Sequence, residues 1–286
     1  MHRRRAPRRL AALILGALTA LALLPAASTT ASAQNVVEAA GGTGPYDAGY
    51  VTTWRLRDHT VYRPLTLPTN ETLPIVVWGN GACRADGTWF ENVLTEFASH
   101  GFLVIANGRP GGTGRTDAEM LTEAIDWAVA ENTRLFGEYR GRIDTGHIAV
   151  MGQSCGGLET YEVADDPRIT TTVLWNSGLL TDRDDHLLDD LHAPVAYFTG
   201  GPSDIAYANA LDDYGKLPAG LPAFIGHLDV GHYGTFAEPN GGEYGRVGAA
   251  WLRWHLKDDP AARAEFVGDA CGLCDTDWDI DRKNWS

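Results

Sequence analysis

Residues 148–157, IAVMGQSCGG, decide the fold. An apolar run suited to a buried strand leads directly into the pattern Gly-x-Ser-x-Gly, and the segment after it is compatible with a helix. A sharp turn from strand to helix strains its serine and lifts the hydroxyl above the sheet, while Gly152 and Gly156 leave room for close backbone contacts. An ordinary Gly-Ser turn is the alternative. The preceding strand favours the strained turn, with Ser154 as a nucleophile.

Short apolar runs bounded by glycine, proline and asparagine lie on both sides of this motif and indicate further strands. Most of the later runs are uninterrupted, which is typical of parallel strands covered on both faces. The predicted strands are residues 51–56, 62–67, 74–78, 102–106, 147–151, 170–174, 194–198 and 223–225.

Longer amphipathic stretches alternate with these runs and indicate helices. The predicted helices are residues 89–99, 117–135, 156–163, 205–214 and 243–256. In the second of these, apolar residues recur at spacings near three and four and so fall on one face. Strands that alternate with helices predict an α/β fold built on a mostly parallel sheet.

The amino terminus has the pattern of a signal peptide. Five arginines precede an uncharged apolar run over residues 10–24, and Ala31-Ser32-Ala33 follows as a cleavage site. A membrane anchor is the alternative, but Pro25 ends the run short of the roughly 20 apolar residues that a spanning helix needs. We predict a signal peptide over residues 1–33, with Sec and twin-arginine export both open, and a single domain over residues 34–286 that ends in a short tail containing cysteines.

The charge of the processed chain restricts its partners. The whole chain carries a net charge of −14, and loss of five arginines leaves about −19 over 253 residues. An acidic surface disfavours nucleic acids and anionic membranes as partners. Small or polymeric neutral substrates are easier to reconcile with this charge.

Four cysteines in an exported chain indicate disulfides, and four allow three pairings. Cys271 and Cys274 form a Cys-x-x-Cys pattern, which in a cytosolic protein would suggest thiol exchange. A zinc ribbon would need a second such pair or two histidines at matching spacing, and the sequence has neither. We therefore predict structural disulfides and no metal site.

On the motif around Ser154, the sequence resembles the α/β-hydrolase superfamily over nearly all of residues 34–286. In detail it resembles compact secreted esterases of the cutinase, chlorophyllase and dienelactone hydrolase types. The resemblance implies a sheet of about eight strands with helices on both faces, and a triad in the order serine, acid, histidine. Asp204 follows a predicted strand and a glycine-rich turn, where this order requires the acid. A helix N-cap is its alternative role.

Two histidines lie where the resemblance implies the base. His227 ends the last predicted strand, where its ring could simply pack against the sheet. His232 lies in a glycine-flanked loop ahead of the final helix and matches the family's catalytic position, so we expect it to be the base.

The resemblance also implies an oxyanion hole built from two backbone N–H groups. One belongs to Cys155, directly after the nucleophile. The other lies after the third strand, where Trp78-Gly79-Asn80 takes the place of a His-Gly-x segment and indicates Asn80, with Gly81 as the near alternative. Trp78 departs from the histidine that is frequent there. A second glycine-rich stretch, residues 108–116, lacks the phosphate-binding patterns and is expected to border the cleft.

Convergence of these two loops around one oxyanion implies a disulfide between Cys83 and Cys155, which leaves Cys271 to pair with Cys274. Free thiols near the nucleophile are the alternative. Trp89 and Trp175 are predicted near the strand ends that carry the triad, where they could line a substrate pocket or simply pack in the core.

These residues predict a secreted, monomeric serine hydrolase that cleaves carboxylic esters through an acyl-enzyme and uses no cofactor. A secreted amidase or peptidase would use the same triad, and a non-catalytic binding protein of the same fold is the third alternative. The sequence has no long insertion that could form a lid, so we expect an open cleft for short-chain, aromatic or polymeric esters.

Overall fold

A computed structural model describes residues 41–285, and these form one nine-stranded sheet in the order β1-β2-β4-β3-β5-β6-β7-β8-β9. The predicted signal peptide and residues 34–40 lie outside this range. The strands are β1 (Ala48–Thr53), β2 (Leu56–Pro64), β3 (Leu73–Gly79), β4 (Leu103–Asn107), β5 (Ile143–Gln153), β6 (Thr171–Trp175), β7 (Val195–Thr199), β8 (Ala223–His227) and β9 (Asp279–Lys283).

The centre of the sheet is parallel, as the uninterrupted apolar runs predicted. Strands β4, β3, β5, β6, β7 and β8 pair in parallel with their neighbours. β1 pairs antiparallel with β2, and β2 antiparallel with β4. β9 pairs antiparallel with β8 and is a ninth strand where about eight were expected. Its polar sequence, DIDRK, has no apolar run that would have predicted it.

Six helices lie within residues 41–285, where five were predicted. They are α1 (Glu91–Ser99), α2 (Ala118–Thr133), α3 (Cys155–Glu162), α4 (Tyr207–Lys216), α5 (Gly242–Lys257) and the short α6 (Pro260–Arg263). Asp117 begins α2 as a side-chain cap, accepting a hydrogen bond from the N–H of Met120.

Both faces of the sheet are buried, which confirms the predicted α/β-hydrolase fold. Val76 and Trp78 of β3 pack on the face that also buries Phe97 of α1 and Trp251 of α5. The alternate residues of the same strand contribute to a second cluster that includes Leu121 of α2. Successive side chains of a strand point to opposite faces, so a strand covered by helices on both sides is apolar throughout.

The parallel strands all end at the same edge of the sheet. The loops that follow β3, β5, β7 and β8 therefore converge there, which is where open α/β sheets place their sites. No helix among residues 41–285 is both long and apolar enough to span a bilayer.

Candidate active site

Ser154 lies on a strained turn between β5 and α3. Its φ of 53° and ψ of −116° are unusual for a residue with a side chain. Its N–H donates a 2.9 Å hydrogen bond to the carbonyl of Trp175 at the end of β6. A Cβ at Gly156 would collide with the backbone of Gly79 on β3, so the glycine allows α3 to approach the sheet. This is the strand–turn–helix that the sequence predicted.

The structure brings Ser154, His232 and Asp204 into one hydrogen-bonded line. Nε2 of His232 lies 3.0 Å from Oγ of Ser154. Nδ1 of the same ring lies 2.6 Å from Oδ1 of Asp204. Asp204 directly follows the 3-10 turn Gly201–Ser203 after β7, and His232 lies in the loop after β8. Three side chains from three loops thus have the arrangement of nucleophile, base and orienting acid.

Asp204 is buried and saturated with hydrogen bonds. Besides His232, it accepts hydrogen bonds from the N–H groups of Gly200 and Ala206 and from the side-chain amide of Asn176. Burial alone would raise the pKa of this carboxyl, but these hydrogen bonds outweigh it and hold the pKa below the usual value. The carboxylate therefore stays charged and fixed beside the imidazole.

Two residues that sequence reasoning missed support this line. Asn176, in the left-handed region at φ 44°, lies directly after β6 and points its amide at Asp204 Oδ2, 2.8 Å away. Gln153, the residue before the serine, donates a 3.0 Å hydrogen bond to the carbonyl of His232. Asn176 could have been predicted as a site residue because it directly follows an apolar run. Gln153 offered no signal beyond its place in the motif.

His227, the competing histidine, points elsewhere. Nδ1 of its ring lies 2.7 Å from Oγ1 of Thr199, and the ring packs edge-on against Tyr207. Burial lowers the pKa of His227, although Asp279 acts in the opposite direction. These contacts match packing against the sheet rather than proton transfer to Ser154.

The segment after β3 and the first residue of α3 meet beside Ser154. Cys155 is the first residue of α3, and the first N–H groups of a helix have no partner within it. Asn80 precedes the 3-10 turn Gly81–Cys83, and its side-chain amide donates to the carbonyl groups of Arg84, Asp86 and Asn107. We call residues 80–83 the oxyanion loop.

The cysteines pair as the sequence implied. Cys83 is bonded to Cys155, and Cys271 to Cys274, with a Cα separation of 5.1 Å in each pair. Residues 41–285 contain no free cysteine. The first disulfide joins the oxyanion loop to α3.

The glycine-rich stretch 108–116 packs against the segment that follows the oxyanion loop. The N–H of Ala85 donates to the carbonyl of Gly114, and the N–H of Thr116 donates to that of Cys83. This stretch therefore supports the oxyanion loop from outside.

Trp175 packs in the core, which is one of the two alternatives that the sequence left open for this residue. It is fully buried and packs against Phe198, Phe236 and Tyr244. Its position at the end of a fully covered strand explains the burial, and its backbone carbonyl, rather than its ring, supports Ser154. Trp89 is partly exposed and stacks with Phe90, with the guanidinium of Arg84 over its ring. A role for Trp89 in substrate contact stays a prediction.

Exposed apolar side chains lie in the loops that follow β6, β7 and β8, and the last two of these loops carry Asp204 and His232. Ile205 follows Asp204 and is 80% exposed, while Tyr233 follows His232 and is 77% exposed. Val230 lies in the same loop as His232, and Leu180 lies four residues after Asn176. Both are also exposed. These side chains give the edge of the sheet that holds Ser154 an apolar surface.

Three carboxylates lie as close to one another as the ligands of a single metal ion would. Oxygen atoms of Asp182, Asp185 and Asp212 lie within 4.8 Å of one another. The ammonium of Lys216 lies 2.6 to 3.0 Å from all three carboxylates. The lysine already supplies the positive charge that such a group needs.

The sheet order, the strained turn and the convergence of loops at one edge define an α/β-hydrolase. Residues 26–279 match the PET hydrolase-like family, and the chain belongs to that family. Membership makes it a hydrolase that acts on esters. No curated protein matches the sequence.

Proposed function

We propose that the protein is a secreted serine esterase with Ser154 as nucleophile, His232 as base and Asp204 as orienting acid. The observation that carries this proposal is the hydrogen-bonded line Ser154–His232–Asp204 on a strained strand–turn–helix. Ester hydrolysis is the activity of the family, and this geometry supplies its chemistry.

The reaction follows from the hydrogen bonds. Neutral His232 takes the proton of Ser154 at Nε2 as Oγ attacks the ester carbonyl, and Asp204 stabilises the imidazolium that forms. The imidazolium then protonates the leaving alcohol, which departs as the acyl-enzyme forms. Water gives a proton to the same imidazole as it attacks the acyl-enzyme, and the imidazolium returns that proton to Oγ of Ser154 as the acid is released.

The oxyanion of each tetrahedral intermediate needs donors fixed in advance. The N–H of Cys155 and that of Asn80, or Gly81 next to it, are the groups that the proposal places there. Loss of one such donor typically reduces kcat by roughly 10² to 10³. Little free energy is needed to keep backbone N–H groups in position when their loop is anchored. Residues 80–83 form such an anchored loop.

The apolar side chains near the triad and the negative charge of the chain support a neutral ester with apolar groups as the substrate. Exposed Leu180, Ile205, Val230 and Tyr233 suit apolar acyl or aromatic groups, including those of polymeric esters. The net charge of −14 favours neutral over anionic substrates. The predicted signal peptide and the two disulfides support action outside the cell.

The decisive experiment is active-site labelling with a fluorophosphonate. We expect mass spectrometry to find the label on Ser154 and Ser154→Ala to abolish both labelling and hydrolysis of p-nitrophenyl esters. Label on Ser177 or Ser203 with Ser154 unmodified would disprove the assignment. Matched aryl esters and aryl amides in the same assay separate an esterase from an amidase, and we expect turnover of the esters.

A further inference from the structure

The disulfide between Cys83 and Cys155 lies at the site itself. Cys155 directly follows Ser154, and Cys83 ends the oxyanion loop. The second disulfide, Cys271–Cys274, joins residues three apart in the carboxy-terminal tail. The two disulfides therefore differ in what they can constrain, and only the first joins two segments that contact the proposed oxyanion.

We propose that the Cys83–Cys155 disulfide is a positioning element of the oxyanion hole, so that ester hydrolysis depends on its oxidation while the fold does not. This inference rests on the proposed serine esterase function. Reduction by a dithiol such as dithiothreitol adds two electrons and two protons, breaks the S–S bond, leaves two thiols and oxidises the dithiol to its cyclic disulfide.

The backbone of the oxyanion loop is strained where the disulfide attaches. Ala82 has a φ of 54° and Cys83 a φ of 47°, so two successive residues with side chains occupy the left-handed region. Such conformations persist only where surrounding contacts enforce them. The disulfide is the covalent contact that holds Cys83 against α3.

The remaining anchors of the loop act on its flanks. The amide of Asn80 holds the loop to residues 84, 86 and 107, and the N–H of Thr116 holds the carbonyl of Cys83. These hydrogen bonds join the loop to residues 84 and 86 directly after it, to the end of β4 and to Thr116. The backbone of Asn80 also packs against Gly156 of α3, but none of these hydrogen bonds joins residues 81–83 to Cys155, so the disulfide is the covalent link that sets this spacing.

The sheet holds the two strands together without the disulfide. β3 and β5 pair in parallel as far as Gly79 with Gly152, and the backbone of Gly79 lies against Gly156. Loss of the disulfide therefore leaves the strand ends in register and frees the strained turn after them. Displacement of a donor by about 1 Å is enough to reduce turnover about a hundredfold.

The test compares two double variants of the full chain, Cys83→Ala/Cys155→Ala and the control Cys271→Ala/Cys274→Ala. We expect the first to reduce kcat for a p-nitrophenyl ester by 10-fold to 100-fold, in the range of about one displaced donor, with KM changed less than threefold. We expect the control to keep the kcat of the parent protein. Circular dichroism at the assay temperature establishes that each variant is folded.

A second measurement distinguishes displacement of the oxyanion donors from a general loss of order at the site. An alkylboronic acid forms a tetrahedral anionic adduct on a nucleophilic serine and so needs the oxyanion donors, whereas a non-hydrolysable ether analogue of the ester does not. We expect the affinity for the boronic acid to fall by the same factor as kcat/KM, and the affinity for the ether analogue to change less than threefold. Equal losses for both ligands would overturn the proposal.

Reduction of the parent protein gives the same comparison without a substitution. We expect dithiothreitol to lower kcat while the far-ultraviolet spectrum stays native, and reoxidation to restore activity. Full kcat in the folded double variant, or unfolding that accompanies the loss of activity on reduction, would refute the proposal. Failure of the esterase assignment looks different, because the oxidised parent protein would then neither hydrolyse the esters nor label at Ser154.

Discussion

Asn176 donates its amide hydrogen bond to the oxygen of Asp204 that His232 leaves free. Its 2.8 Å hydrogen bond ends on Oδ2, whereas the imidazole contacts Oδ1. The same amide also donates to the hydroxyl of Tyr244 and the carbonyl of Gly231. These two residues are far from Asn176 in sequence but contact it at the end of β6. Asn176 thus couples the position of the acid to the loop that carries the base.

Replacement of Asn176 by glycine tests this role, because glycine keeps the left-handed backbone and removes only the amide. A hydrogen bond to a charged group contributes about 1.5 to 3 kcal/mol, so we expect kcat to fall roughly tenfold to a hundredfold with little change in KM. Steady-state kinetics on a p-nitrophenyl ester measure the effect. Asn284→Gly is the matched control, since Asn284 also has a positive φ and donates to a carbonyl, that of Leu221. An equal loss in both variants would contradict a role at the site.

Tyr233 carries a prediction about the substrate. Its exposed ring lies next to His232, so it is placed to contact an apolar group of the ester. We expect Tyr233→Ala to raise KM roughly tenfold for an aromatic ester, in line with about 1.5 kcal/mol of lost apolar contact, and to leave an acetate ester unaffected. Phe136→Ala is the control, because Phe136 is 92% exposed and lies before β5, at the opposite edge of the sheet. Indifference of the aromatic ester to Tyr233→Ala would remove this residue from the proposed surface.

The sequence predicted those site residues that a local sequence pattern can specify. Gly152 and Gly156 flank Ser154 within five residues, and Gly231 and Gly234 mark the loop of His232, so these positions are readable along the chain. The hydrogen bonds of Asn176 and Gln153 join residues 28 to 79 positions apart, and no local pattern encodes them. The sequence left the role of Trp175 open, because the end of a strand has the same sequence pattern whether other elements cover it or not.

Helix α3 carries a buried carboxyl one turn after Cys155. Glu159 accepts hydrogen bonds from the hydroxyl of Thr116 and the amide of Asn107, close to the backbone of Gly79. Burial raises the pKa of Glu159 to about 7, although both hydrogen bonds act to lower it. The helix that presents Ser154 therefore carries a group that changes its charge near neutral pH.

Glu159 should make the stability of the fold depend on pH. Its pKa is about 7 in the folded chain against 4.5 for the free group, so its favourable contribution is complete below pH 4.5 and is lost as the pH rises through 7. The full shift corresponds to about 3 kcal/mol. We expect Glu159→Gln to be more stable than the parent protein at pH 8 and similar to it at pH 4.5. Urea unfolding at the two pH values measures the difference.

The control for this prediction is Glu119→Gln, which removes an exposed carboxyl from α2. It should change the free energy of unfolding little at either pH. A difference between Glu159→Gln and the parent protein that is the same at pH 4.5 and pH 8 would show that the substitution acts through packing and not through ionisation.

The elements themselves were predicted where apolar periodicity was strong. Most of the covered strands β3 to β8 read as uninterrupted apolar runs, whereas β5 also includes Asp144, Thr145 and Gly146 ahead of its apolar run. The amphipathic pattern of α2 located that helix within two residues at its carboxy end. β9 was missed because four of its five residues are charged, and pairing with β8 rather than side-chain burial defines it. Strand order could not be predicted, since it depends on which runs meet in space.

For the whole molecule, the two disulfides should contribute very differently to stability. Cys83 and Cys155 are 72 residues apart, whereas Cys271 and Cys274 are three apart. On the chain-entropy account the long loop corresponds to about 4 kcal/mol and the short one to much less. We expect urea unfolding to show this ranking for the two double alanine variants. The loss for the long loop remains smaller than the about 5 to 15 kcal/mol of a typical domain, so that variant still folds.

The reverse ranking, or equal losses for the two variants, would show that local contacts around each disulfide outweigh the entropy of the unfolded chain. Both variants keep the Cβ atom of each cysteine and lose only the sulfur, so each substitution removes the covalent link and little side-chain volume. The measurement needs no activity and is independent of the esterase assignment.

The charged strand β9 has a consequence for how copies of the molecule behave in concentrated solution. Within residues 41–285 it is the last strand of the sheet and pairs on one side only, and an open edge is a template onto which a neighbouring chain can add a strand. The exposed Asp279 and Asp281 would have to lose water for such an addition, which disfavours edge-to-edge association. Thus the charged residues that left no apolar pattern for prediction are of the kind that protects the edge strand of a sheet.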